Sequence, residues 1–179
     1  MKDIFKFFGL LLVGLFVAII LYPFLHESGH LVAAILVRAK VLDFNLLPLP
    51  YVMCDVSGVN TLGQAIIGFG GIIIPLVLTS IIKLKNFWFW YAQFLIKCIS
   101  VYAVILSFIV VILYNYGFII GNDDIIQVLK IFPNGTGILI MSLGLIITYG
   151  IFALKKQKPL MRCLNYFGVI DNKVISNKK

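Results

Sequence analysis

Phe24-Leu25-His26-Glu27-Ser28-Gly29-His30 closes on an uncharged run of nineteen residues, Phe7 to Leu25, rich in Leu, Val, Ile and Phe. An apolar run of this length predicts a helix able to cross a bilayer, and the HExxH that follows it puts metal-ligand chemistry in or beside that bilayer. Residues four apart on a helix share a face about one turn apart, so His26 and His30 can both aim an imidazole at one zinc ion. Glu27 then lies beside the metal, where a carboxylate can take a proton from water that the cation has made more acidic. Chance explains the pattern poorly. The chain has two histidines and one glutamate, and all three are here. Random placement would give this arrangement in roughly one sequence in ten thousand, well below the ordinary false-positive rate of a short motif. A polar cluster that merely glues helices is the other plain reading, but ionisable groups within an apolar run are costly and are functional candidates by default.

The composition around the motif sets the class. Hydrophobic residues make up 61% of the 179-residue chain and charged residues 12%, with a mean hydropathy of +1.07. The charged fraction is about half that of a soluble domain. These values predict an all-α integral membrane protein, residues 1–179 forming one polytopic domain of about four transmembrane helices in a bundle. The net charge of +8 points to the lipid bilayer and not to nucleic acid, because Lys and Arg cluster at the ends of apolar runs, where they set orientation and meet anionic headgroups. Met1 to Tyr22 reads as a retained anchor: its uncharged core is long for a signal peptide and no small-residue cleavage site follows. Cys54, Cys98 and Cys163 have neither a CxxC spacing nor an even count, so they read as free thiols.

The expected spans are 7–37, 61–82, 98–120 and 135–154, followed by a basic tail, 155–179. A helix from Phe7 to Val37 would reach about 46 Å, whereas the hydrocarbon core needs about 30 Å. Pro23 is the expected place of a kink or of a break into two helices. After Arg38 and Lys40, Leu42, Phe44 and Leu46 alternate with Asp43 and Asn45, which predicts a short strand stopped by Pro48 and Pro50. This segment reads either as a plain surface connection or as an edge strand in which Asp43, Phe44 and Asn45 pair with an extended peptide substrate. In the second span, Gly63, Gly68, Gly70 and Gly71 allow close helix packing, and Pro75 can add a kink. Phe87-Trp88-Phe89-Trp90-Tyr91 reads as a headgroup-level aromatic cluster, with Lys97 snorkelling toward the same surface.

HExxH supplies two ligands, and a catalytic zinc usually has a third protein ligand and one open position. With no third histidine and no second glutamate, the donor must be an aspartate, a cysteine or an amide. Asp123 and Asp124, between the third span and the short apolar stretch Ile125 to Leu129, are the best-placed carboxylates. Asp43, Cys54 and Asp55 are the further candidates. Either Asn122 or Asp123 could instead cap the short helix.

The chain resembles the site-2 protease family of intramembrane zinc metalloproteases, particularly its small bacterial members. The resemblance covers roughly residues 22–130 and rests on Phe24 to His30, the strand-like Lys40-Val41 to Pro48 segment, Gly70-Gly71 with Pro75, and Asp124 ahead of Val128-Leu129. It implies that His26, His30 and Asp124 bind Zn2+ and that Glu27 is the base. The chain departs from the family pattern in having Ile125 where glycine is common and in lacking Asn-Pro-Asp-Gly. The resulting expectation is a metalloprotease, a hydrolase that cuts a membrane-protein or membrane-adjacent peptide with zinc-activated water. The alternative is a non-catalytic binding or immunity-type membrane protein that retains the fold.

Placing both termini in the cytoplasm puts twelve of the fifteen Lys and Arg residues on that side and leaves Arg38, Lys40 and Lys130 on the other. The positive-inside tendency favours this arrangement. The expected location is therefore the cell membrane, with the metal motif opening on the face opposite the termini.

Overall fold

The computed structural model describes residues 2–118, 124–132 and 134–169. Asp123, the expected end of the third span at Ile120 and the tail beyond Val169 lie outside these residues. The described chain is mostly helical: α1 (Lys2–Phe16), α2 (Tyr22–Leu36), α3 (Thr61–Ile81), α4 (Phe87–Asn115), α5 (Asp124–Ile131), α6 (Thr136–Lys156) and α7 (Pro159–Tyr166), with strands β1 (Lys40–Asn45) and β2 (Tyr51–Asp55) between α2 and α3. Among the described residues, four helical stretches are long and apolar enough to cross a membrane: α1 joined to α2, then α3, α4, and α6 with its continuation.

Pro23 neither breaks the first stretch nor marks its irregular turn. It sits in the first turn of α2, and the chain passes from α1 into α2 through a π turn at Val17–Leu21, where the Tyr22 N–H reaches the Val17 carbonyl. A proline cannot donate to the carbonyl four residues back and its ring crowds that group. Here that carbonyl belongs to Ile19, inside the π turn, so the widened turn absorbs the misfit and the helix continues.

The apolar surface is turned outward. In the most apolar window of α1–α2 only 6% of residues are buried, against 39% in α3 and in α4. Phe5, Phe8, Leu12, Phe16 and Ile19 all stand exposed. A contiguous apolar surface of this extent on a soluble monomer would be an aggregation liability. The core proper is a cluster of Ile72, Val104, Val111, Ile125, Ile126, Val128, Leu129, Leu139 and Leu143, contributed by α3, α4, α5 and α6.

Side-chain caps fix the helix starts. Asn60 Oδ1 accepts from Gly63 N at 2.8 Å to open α3, and Asn86 Oδ1 accepts from Trp88 N at 2.9 Å to open α4. The second cap explains why the third long helix begins at Phe87 and not near Cys98. The aromatic cluster is its first turn, and Lys97 lies ten residues inside it. Lys97 is buried, 4% exposed, instead of snorkelling to the surface.

β1 and β2 form an antiparallel hairpin with Lys40 opposite Asp55 and Asn45 opposite Tyr51; an irregularity between Val41 and Asp43 sets Leu42 out of register. At the other end of the bundle, Lys6 Nζ donates to the Tyr166 carbonyl at 3.3 Å, and the Phe87 ring stacks on Tyr166 at 3.9 Å between centroids. The start of α1, the start of α4 and α7 therefore share one end, and the hairpin lies at the other.

Helices α2 and α3 meet backbone to backbone. A Cβ on Gly70 would fall 2.7 Å from both the Gly29 carbonyl oxygen and Ala33 Cβ, closer than real Cβ contacts come. Gly70→Val should therefore destabilise the detergent-solubilised protein by about 1–3 kcal/mol, an overpacking cost. Gly144→Ala, where a Cβ meets nothing within 4 Å, should be neutral or stabilising by up to about 1 kcal/mol. Chemical unfolding of the two variants side by side checks the contrast. A second expectation follows from the shared end: reporters fused after Asn60 and after Lys179 should fall on opposite sides of a membrane, and finding both on one side would rule out four crossings.

Candidate metal centre

His26 and His30 sit one turn apart on α2, as their spacing requires, and their rings lie edge to face with centroids 4.7 Å apart. The carboxylate of Asp124, in the first turn of α5, comes to them from nearly a hundred residues further along the chain. His30 Nε2 is 3.2 Å from His26 Nε2 and 3.1 Å from Asp124 Oδ2, and His26 Nε2 is 3.4 Å from the same oxygen. A tetrahedral zinc with nitrogen and oxygen ligands at about 2.0–2.1 Å separates neighbouring donors by about 3.3–3.4 Å. The observed triangle has nearly those edges. Three lone-pair donors facing one another at this range repel unless a proton or a cation lies among them, so the donor set fits a divalent metal.

Each corner of the triangle has its own support. His30 Nδ1 is 2.7 Å from the Ile67 carbonyl. A carbonyl can only accept, so Nδ1 carries the proton and the lone pair of Nε2 is directed to the site, the usual brace of a metal-binding imidazole. His26 lacks that brace: its Nδ1 is buried without a hydrogen-bond partner among the described residues. Its ring is confined instead by Gly71, where an added Cβ would collide with His30 Nε2 and lie 2.6 Å from His26 Cε1. The glycine is a cradle for both imidazoles. Asp124 is held by the helix that follows it. Ile125, Ile126, Val128 and Leu129 are all buried, so half of α5 is locked into the core and its first residue is fixed against α2.

Glu27 stands one residue from the first ligand, half-buried. Its carboxylate and the imidazole nitrogens of His26 and His30 all lie within 4.8 Å of one another, a group that could hold a metal ion. Glu27, His30 and Asp124 also line a cavity of about 340 Å³, whose far wall is Val52, Met53 and Cys54 of β2.

Of the other candidates read from the sequence, Asp123 lies outside the described residues, Cys54 is in that wall, and the rest lie elsewhere. Asp43, Phe44 and Asn45 belong to β1 and do not line the cavity. The Asp43 carboxylate accepts from Phe44 N at 2.8 Å and from the Tyr51 hydroxyl at 2.7 Å, and it raises the affinity of that phenol for its proton. Asp55 is engaged by Ser57, whose hydrogen bonds hold its carboxyl below the ordinary range. The strand that borders the candidate metal site is β2. The alternation in residues 42–46 reveals a strand but cannot show which strand of the hairpin faces inward. Gly71 carries a signal in the sequence, Gly70-Gly71 ahead of Pro75, but close helix packing alone accounts for that pattern.

The chain matches no family model, no curated protein and no solved structure. Its likeness to the site-2 protease family therefore rests on its own motif residues.

Gly71→Ala should lower the affinity for a divalent metal by about 10–100-fold, the usual effect of disturbing a ligand's support. Gly144→Ala, where an added Cβ meets nothing within 4 Å, should leave affinity unchanged. Competition against a chromophoric chelator measures both.

Proposed function

We propose that the protein is an intramembrane zinc metalloprotease, resembling site-2 proteases, that hydrolyses a peptide bond within or close to the membrane. The observation that carries this reading is the triangle of His26 Nε2, His30 Nε2 and Asp124 Oδ2 with an unligated glutamate beside it. Two nitrogens and one carboxylate oxygen are a ligand set used by catalytic zinc, and three protein ligands leave a position open. Bound there, zinc supplies Lewis acidity, acidifying water and polarising a peptide carbonyl.

The remaining chemistry belongs to side chains. Among the described residues, Glu27 is the one carboxylate next to the triangle that is not a corner of it. It accepts a proton from the attacking water and returns it to the leaving amine. Asp124 contributes a negative charge that offsets the metal's and keeps the site selective for a divalent cation over an anion. A helical substrate hides its carbonyls, so the scissile segment must be extended before it is cut. Strand β2, which walls the cavity, has one edge paired to β1 and offers the other for strand addition. The substrate edge is thus assigned to Tyr51–Asp55 in place of Asp43–Asn45. Four helices of sufficient length and apolarity, with an outward-facing apolar surface, support placement in a membrane, with both termini on the more basic side.

The purified protein should hold about one zinc per chain. His26→Ala and His30→Ala should lose it, and Asp124→Asn should weaken binding far more than Asp123→Asn, because an amide is an uncharged, poorer donor. Glu27→Gln should keep the metal and lose about 10²–10⁴-fold in hydrolysis of reconstituted transmembrane peptides, read from product termini by mass spectrometry. Equal cleavage by wild type and Glu27→Gln would remove the protease reading. Equally low zinc in wild type and His26→Ala would remove the metal.

A further inference from the structure

A second cavity, of about 510 Å³, lies at the end of the bundle away from the hairpin, between the last turn of α3, the first half of α4 and the end of α6. Five cationic side chains line it: Lys83, Lys85, Lys97, Lys156 and Arg162. No carboxylate among the described residues does. Four of the five are exposed, as basic residues at helix ends usually are. Lys97 is different, since the residue is only 4% exposed and its side chain lines the cavity wall. An ammonium that faces a cavity lined by four further cations and no described carboxylate is stabilised by an anion placed there.

Two further atoms on the same wall lack partners. Trp90 Nε1, a donor, and Gln157 Oε1, an acceptor, are both buried and unpaired among the described residues. Arg162 is fixed over the Trp90 ring at 4.9 Å, which holds a fork of donors at the rim. Next to these polar groups the wall is Tyr149, Phe152 and Ala153, an apolar and aromatic side continuous with the outer surface of α6. A ligand that satisfies the whole cavity carries an anionic group for Lys97 and Arg162, a hydroxyl for Gln157 and hydrocarbon for the α6 wall.

We propose that this cavity binds the phosphate of an anionic membrane lipid, with Lys97 as the buried anchor and Arg162 as the rim contact. The site goes beyond the metalloprotease reading and does not depend on it. Phosphate is the shared chemistry, and the lipid is its source because the cavity opens at helix ends beside an apolar face.

The test is native mass spectrometry of the full-length protein after equilibration in mixed micelles of equimolar phosphatidylglycerol and phosphatidylcholine, with thermal unfolding of each variant as the fold control. Wild type should retain phosphatidylglycerol several-fold over phosphatidylcholine. Lys97→Met and Arg162→Gln should each reduce that preference about fivefold, while Lys130→Gln at the other end of the bundle should leave it unchanged. Should Lys97→Met fail to fold, Arg162→Gln, at an exposed position, carries the test. No lipid preference in wild type, or a preference indifferent to both variants, overturns the proposal. A parallel arm with inorganic phosphate separates the sources: Lys97-dependent binding of free phosphate without lipid preference overturns the lipid assignment.

Discussion

The contact on which the molecule depends is the one between two backbones. Where α2 crosses α3, Gly29 faces Gly70 and Gly71 with no side chain between, and Ala33 closes the contact on the next turn. Small residues are the usual means of bringing membrane helices this close, since lipid offers little hydrophobic drive for association. Here closeness has a chemical consequence. It brings the Ile67 carbonyl within hydrogen-bonding distance of His30 and lets both imidazoles lie over Gly71, where any larger residue would occupy their space. Pro75 adds to this, because it cannot donate to the Gly71 carbonyl one turn back. The Thr79 hydroxyl donates to the Pro75 carbonyl at 2.7 Å, and α3 runs unbroken past the proline.

What is legible in the sequence follows from which interactions are local. The histidine pair and its glutamate lie within one helical turn, so the spacing in sequence is already the geometry in space. The long apolar runs are legible for the same reason, their length and composition being the property that matters. The capped start of α4 at Asn86 is hidden because an aromatic run next to lysines looks like an interface whether or not it is helical. The burial of Lys97 is hidden with it: a lysine near a helix end reaches the surface, but a lysine ten residues in faces whatever packs there. The third ligand is legible only as a short choice, since bringing Asp124 to α2 depends on α5 docking through four buried apolar residues, a tertiary event with no local signature. Resemblance alone prefers Asp124 over Asp123, and the structure adds to that preference a carboxylate 3.1 Å from His30 Nε2.

The two ends of the bundle carry opposite chemistry. Acidic and imidazole groups gather near the hairpin, and five cations converge near α7 with no described carboxylate among them. A chain with a net charge of +8 could have spread those charges evenly over its surface. Charge concentrated at one end favours one orientation in an asymmetric membrane, and a lysine placed within the packing is the feature on which the proposed lipid site rests.

The depth of the metal site within a bilayer can be argued from two helices independently. Along α2, His30 is six residues before Leu36, about 9 Å from the end of that helix. Along α3, Gly71 lies ten residues past Thr61, about 15 Å from the same end. Both place the triangle beneath the hairpin and no deeper than the middle of a core about 30 Å thick, so the surplus length of the first helix must project at the opposite end, where Lys6 meets Tyr166. A site at that depth is dry unless something admits water. The cavity lined by Glu27, Asp124 and β2 is an opening that the described residues provide, and it is bordered by the strand that the proposed reading assigns to the substrate. On the proposed reading, water and peptide share one route, from the hairpin side, and Glu27 stands where that route meets the histidine pair.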